Sequence, residues 1–308
     1  MQVSRRAFVM AACLPLVLPQ FALAADTRPN PILFRVRQGQ GTAYLLGYSE
    51  ATDNNWLVPK IAAALDASTV LWLETPPGSA AAAAEGENAP PPDPELQRLF
   101  TEQAFDRDRD LFALLLPDLA RRALEWASKL ELARETLSPM RPWFARITIQ
   151  QAYASRRQAS AARGSGLVSP ERIVIDHARR RQIPIEAEYP TLTHLIRFFA
   201  ELPGAAQPQY LQELLDYFDR DATGENDAGK YGWITGRPDT RSLDEQRERT
   251  PDLYRAMHIE RNAWWCGRIE GLLAQGHTAF LLLGQNHTLG PDSVQANLSR
   301  RGLKIETL

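Results

Sequence analysis

Apolar residues in this chain fall into short solid runs at its two ends and into helical stripes between them. The runs at 44–46 and 280–283 are apolar at every position, the pattern of a strand buried on both faces of a parallel sheet. Each ends in a glycine, Gly47 or Gly284, followed three residues later by a metal-capable side chain, Glu50 or His287. A glycine there lets the backbone turn sharply or approach a ligand closely. Ligands of open α/β sheets bind beyond the carboxyl ends of the strands, so both motifs point to one site.

The remaining elements follow from period and punctuation. Residues 32–37 and 42–46 read as strands joined through Gln38-Gly39-Gln40-Gly41, a hairpin signal. Helical spacing over 56–68 leads to a strand at 69–73 that ends at Glu74, a strand–helix–strand unit of the kind that builds parallel sheets. Residues 75–94 are rich in Pro, Ala and Gly and predict a loop. It is either a cover over the site or a tolerated surface insertion. A helical insertion over about 95–165 is broken at Pro117 and at 139–142. Next come a helix at 170–181, a strand at 183–187 ending at Glu188, amphipathic helices at 191–202 and 207–220, and a polar loop at 222–238. A long helix begins with Thr250 as N-cap and Pro251 in its first turn, and Gly276 ends it. A strand at 278–283, a helix at 291–301 and a strand at 303–306 complete the chain. The expected fold class is α/β: a mixed, mainly parallel central sheet built from both ends of the chain, with a helical insertion. No internal repeat is visible.

Glu50, Glu74, Glu188 and His287 all stand at predicted strand ends and would converge if those strands run parallel. Carboxylates that close repel unless a metal, an arginine or a proton intervenes. Three carboxylates and one imidazole suit Mn²⁺, Co²⁺ or Zn²⁺ without choosing among them. Arg261 and Asn262 lie on the long helix that precedes the last apolar run, within reach of the same edge. Arg261 could hold a carboxylate ligand or a substrate oxygen, and a structural salt bridge to Glu74 would look the same. His258 is one turn before Arg261 on that helix, whereas His177, His194 and His277 lack ligand spacing. Trp264 and Trp265 read as core or pocket wall. Gly164-Ser165-Gly166 lacks the frame of a nucleophile elbow, and no dinucleotide or phosphate fingerprint appears.

Composition narrows the class further. The 308 residues are 44 % hydrophobic, enough for a substantial core, and the formal charge of −2 provides no basic stripe for nucleic acid. Ser4-Arg5-Arg6-Ala7-Phe8, an apolar stretch over 11–23 and Ala22-Leu23-Ala24 resemble a twin-arginine export signal with its cleavage site; a Sec signal is the alternative. Residues 1–24 are therefore expected to be removed and 25–308 to form the mature domain, periplasmic or secreted. Cleavage would take Cys13 and leave Cys266 without a disulfide partner. Beyond the signal no apolar run is long enough to span a bilayer, so an integral membrane protein is not expected.

Glu260-Arg261-Asn262-Ala263-Trp264-Trp265, Leu283-Gly284-Gln285-Asn286-His287-Thr288-Leu289-Gly290-Pro291-Asp292 and Arg301-Gly302-Leu303-Lys304-Ile305-Glu306 resemble the closing segment of the TraB/GumN family, which includes the PrgY and TIKI proteins. Leu33-Phe34-Arg35-Val36, the run before Gly47, and Leu71-Trp72-Leu73-Glu74 resemble its opening segment. The resemblance implies two Gly-x-x-His motifs and a glutamate around a divalent metal. Some members are metal-dependent peptidases, and related folds include an esterase-like enzyme and a haem-binding protein. This chain departs from the pattern at Glu50, which stands where the family has histidine. Resemblance and position together make His287 and Glu50 the expected metal ligands, with Glu74 the alternative ligand. Glu74, Arg261 and Asn262 are the expected catalytic residues, the carboxylate not used as a ligand serving as base and Arg261 with Asn262 steadying the oxyanion. Glu188 and His258 are possible additions, and Gly47 and Gly284 the motif glycines. The expected activity is hydrolysis of an amide or ester in a peptide, ester or glycan-related substrate. The competing expectation is a binding protein on the same scaffold, with no metal. Oligomeric state, substrate and pathway are not readable from the chain.

Overall fold

The computed structural model describes residues 28–49, 55–77, 93–160, 169–224, 226 and 232–308. The export-signal residues, Glu50 and most of the 75–94 loop lie outside the described residues.

Among the described residues six strands form one sheet: β1 (Leu33–Gln38), β2 (Gly41–Tyr48), β3 (Val70–Leu73), β4 (Ile185–Ala187), β5 (Thr278–Gly284) and β6 (Lys304–Thr307), in the order β4-β3-β5-β2-β1-β6. β4, β3, β5 and β2 are mutually parallel, while β1 pairs antiparallel with both β2 and β6. The expected hairpin therefore forms, with Gly39 in its turn at φ +56°. Helix α1 (Pro59–Ala67) connects β2 to β3, yet these strands are not neighbours. β5, from the far end of the sequence, fills the slot between them. The mixed, mainly parallel sheet is thus built from both ends of the chain.

Alternation along β5 explains the layers. Phe280 and Leu282 pack with Ile61 and Leu65 of α1, and with Val174 and Ile175 of a helix at Pro170–Arg180. Leu281 and Leu283 point the other way, into Trp265, Ile269, Val294 and Leu298. A strand buried on both faces needs this unbroken apolar run, and each fully buried leucine contributes about 1.5–3 kcal/mol. The helical insertion has its own core around Leu111, Leu119, Trp126 and Ile149, closed by Leu211, Leu215 and Phe218 of a helix at Ala206–Ala222.

The long helix is not uniform. An α-helical start at Pro251–Tyr254 passes into a π-helical turn at Arg255–Glu260 and then into an α-helix at Arg261–Ala274. Thr250 does not cap it: its hydroxyl donates to Gln246 O, the last turn of the preceding helix, Arg241–Arg249. π-turns inside α-helices occur frequently at functional sites, and this one immediately precedes Arg261. The helix expected at 291–301 is shorter, Val294–Arg300, because Ser293 caps it by accepting from Ala296 N–H.

Gly47, at the end of β2, is required by close approach. A Cβ there would overlap the side chain of Thr288, in the 3₁₀ turn Gln285–Thr288 that carries His287. The Gly47 carbonyl also accepts from Trp233 Nε1. Gly47→Ala is expected to cost roughly 1–3 kcal/mol by overpacking. Urea melts should show a lower midpoint with an unchanged slope; an undisturbed midpoint would refute the tight fit.

Candidate active site

Parallel pairing of β3 and β4 opposes Leu73 and Ala187, so the next residues, Glu74 and Glu188, emerge side by side. The pairing continues past the strands, with Glu188 N–H donating to Leu73 O at 2.9 Å. Arg261 lies across both carboxylates. Its Nε donates to Glu188 Oε1 at 2.8 Å, and its Nη2 to Glu188 Oε2 at 2.6 Å and to Glu74 Oε2 at 3.1 Å. Trp265, one turn along the helix on the same face, adds an Nε1–H bond to Glu188 Oε2 at 3.1 Å. The three charged side chains are 9 % (Arg261), 18 % (Glu74) and 6 % (Glu188) exposed. Such a pair is worth having in a buried setting only when its geometry is good and its remaining polar atoms are satisfied. The bidentate fork and the indole supply that for Glu188.

Glu74 Oε1 accepts the backbone N–H of Gly284. The second motif glycine thus brings bare backbone against the carboxylate; a Cβ at Gly284 would lie 3.1 Å from Glu74 Oε1. His287, buried in the turn that follows, has Nδ1 2.5 Å from Asn262 Oδ1. Asn262 Nδ2 donates to Asp292 O at 2.7 Å, which turns its carbonyl toward the imidazole. This network assigns the imidazole proton to Nδ1 and the lone pair to Nε2. Nε2 stands 3.7 Å from Glu74 Oε1. Two acceptors therefore face each other, held from behind by a ring N–H···O bond and a backbone amide.

Burial pushes His287 down to about 4, against the pull of Glu74, so the imidazole is neutral at neutral pH. Burial alone would raise Glu74, but positive charge at His287 and Arg261, with the Gly284 N–H, holds it below its usual value. Burial raises Glu188 in spite of Arg261. A single guanidinium, Arg261, is thus shared between the two carboxylates.

His258, in the π-turn, is 6 % exposed, and its ring centre lies 5.5 Å from that of His287. Its Nε2 meets Gln246 Oε1 at 2.7 Å, and its buried Nδ1 has no partner among the described residues. Burial, then positive charge at His287 and Arg261, pushes it down to about 3.

Glu74, His258, Arg261, Gly284 and His287 line a cavity of about 460 Å³, together with Tyr48 and Ser49. Ser49 is the described residue next to Glu50. Of the residues singled out from the chain, Glu74, Glu188, Arg261, Asn262 and His287 come together, with His258 beside them and Gly47 and Gly284 shaping the edge. Gln246, which meets His258, and Trp233, which donates to the Gly47 carbonyl, carry no signal in the chain. Asp292, whose carbonyl holds Asn262, stands at the end of the motif-bearing run. Among the described residues no three His, Cys, Asp or Glu side chains assemble as a metal-ligand set.

The family model described as the TraB/PrgY/gumN family matches residues 32–307, nearly the whole described fold. The chain belongs to that family. No curated protein and no solved structure matches the chain. For this TraB/PrgY/gumN member the match spans both the sheet edge that carries Glu74 and His287 and the helices that complete the cavity, so cavity and sheet belong to one family unit. Among the described residues no helix is long and apolar enough to cross a membrane.

Proposed function

We propose that this chain is an exported, divalent-metal-dependent hydrolase of amide or ester bonds. The observation that carries the reading is the facing pair Glu74 Oε1 and His287 Nε2, 3.7 Å apart, both acceptors at neutral pH. A cation between them would relieve both. The donor set fits a borderline ion bound by oxygen and imidazole, which leaves Mn²⁺, Co²⁺ and Zn²⁺ equally suited. His287 and Glu74 would hold it, with Glu50 the candidate third ligand from the first motif. Once bound, such an ion supplies Lewis acidity and lowers the pKa of water.

The chain's own groups have separable tasks. Asn262 fixes the His287 tautomer and ring orientation; with both its polar groups engaged, it is a positioning residue rather than a donor to substrate. Arg261 keeps Glu74 ionised and aimed, and Gly284 N–H fixes its other oxygen. A carboxylate not used as a ligand is placed to accept a proton from water. Glu50 in place of the first motif's histidine favours a second reading, a binding protein that uses the same cavity without a metal.

Metal analysis of purified protein separates the two. Stoichiometric metal in the wild type, lost in His287→Ala, upholds the hydrolase; fully stable metal-free protein that cleaves neither peptide nor ester substrates upholds the binder. Mass spectrometry of protein recovered from cells checks export, for which a mature chain beginning after Ala24 is expected.

A further inference from the structure

The Ala206–Ala222 helix also lines this cavity, through Glu213, Tyr217 and Arg220, which recur at intervals of four and three residues and so share one face. The charges on this side are mostly matched. Arg220 pairs with Glu245 at 3.6 Å, and Arg241 with Asp239 at 2.6 Å. Glu213 is the exception: no hydrogen bond or ion pair reaches its carboxyl group among the described residues. Arg146 and Arg220 act on it only from a distance. The Arg146 guanidinium donates to Gln150 and lies 3.9 Å over the Tyr210 ring, and Arg220 serves Glu245. Asp216, which also bears on Glu213, is itself held by Arg122 at 2.7 Å and Arg249 at 3.1 Å.

Arg146 Nε and Arg220 Nε are themselves buried without a partner among the described residues and do not reach Glu213, so this acceptor on the cavity wall is completed by a donor from whatever occupies the cavity. A charged donor completes it best, since charge-assisted hydrogen bonds are about twice as strong as neutral ones. We infer that Glu213 is the specificity residue of this cavity and takes a positively charged amino group of the substrate, while the scissile amide or ester lies at Glu74 and His287. Burial raises the Glu213 carboxyl despite the two arginines. The inference rests on the hydrolase reading for the reacting end and is independent of it for the anchoring end.

The test uses alanine para-nitroanilide and its N-acetyl derivative with metal-loaded full-length mature protein. Wild type is expected to favour the free amine by roughly tenfold to a hundredfold in kcat/KM. Glu213→Gln should abolish the preference, mainly through KM, and leave the acetylated substrate unchanged. Equal preference in wild type and variant would overturn the inference. Where glutamine is not tolerated, Glu213→Asp withdraws the carboxylate without removing its charge; a weakened preference upholds the role and an unaltered one refutes it. Should wild type cleave neither compound, the hydrolase reading fails and calorimetry with alanyl-alanine amide and its N-acetyl form decides Glu213. Binding of the free amine alone, lost in Glu213→Gln, upholds the anchor; equal or absent binding of the two removes it.

Discussion

Arg261→Met is expected to destabilise the fold by about 3–5 kcal/mol, the cost of breaking a buried ion pair from one side. Arg261 is the shared counter-ion of Glu74 and Glu188, and its Nε and Nη2 bonds to Glu188 have no replacement nearby except the single indole bond from Trp265. A methionine would fill much of the space between Tyr189 and Phe198 but leave two carboxylates facing each other. The pH dependence identifies the cause. Glu188 already has a raised pKa in the folded protein, and loss of Arg261 raises it further. Above its unfolded value of about 4.5 the folded state then holds a proton that the unfolded state has released, so stability falls as pH rises through this window. The deficit measured by urea melts should therefore be smaller near pH 5 than near pH 8. A deficit independent of pH would mean that lost packing, not lost charge, is responsible. Arg261→Lys should recover only part, because a point charge cannot reproduce the fork.

This arrangement separates what could be read from the chain from what could not. The solid apolar runs before Gly47 and Gly284 and the run before Glu74 identified three of the four parallel strands, because a strand buried on both faces leaves no polar position to mislead the eye. Their order was less visible: no local pattern shows that β5 enters between β2 and β3. The convergence of Glu74, Glu188 and His287 follows from parallel strand direction alone, so it was accessible from the chain. The partners that set their chemistry were not. Asn262 sits beside Arg261 in sequence, yet one orients an imidazole and the other clamps carboxylates, because successive positions of the α-helix that begins at Arg261 point roughly 100° apart. Glu213 has the spacing of any amphipathic helix, and only the cavity distinguishes it from a solvated residue.

The largest effect on activity is expected from Glu74→Gln. The change keeps shape and an acceptor for Gly284 N–H, and Arg261 retains its two bonds to Glu188, so the fold should survive with a modest loss of stability. What disappears is the carboxylate charge facing His287 Nε2. Hydrolysis is expected to drop by roughly 10²–10⁴-fold whether the carboxylate acts as base or as ligand. Metal content tells these roles apart: retained metal with lost turnover assigns the base, and loss of both assigns the ligand. Glu188→Gln is the matched control, since Glu188 is spent on Arg261 and Trp265 and faces neither His287 nor substrate. It should lower stability more than turnover. If Glu188→Gln abolished hydrolysis while Glu74→Gln spared it, the reacting carboxylate would be on β4 rather than β3, and the pairing of Glu74 with His287 would lose its chemical meaning.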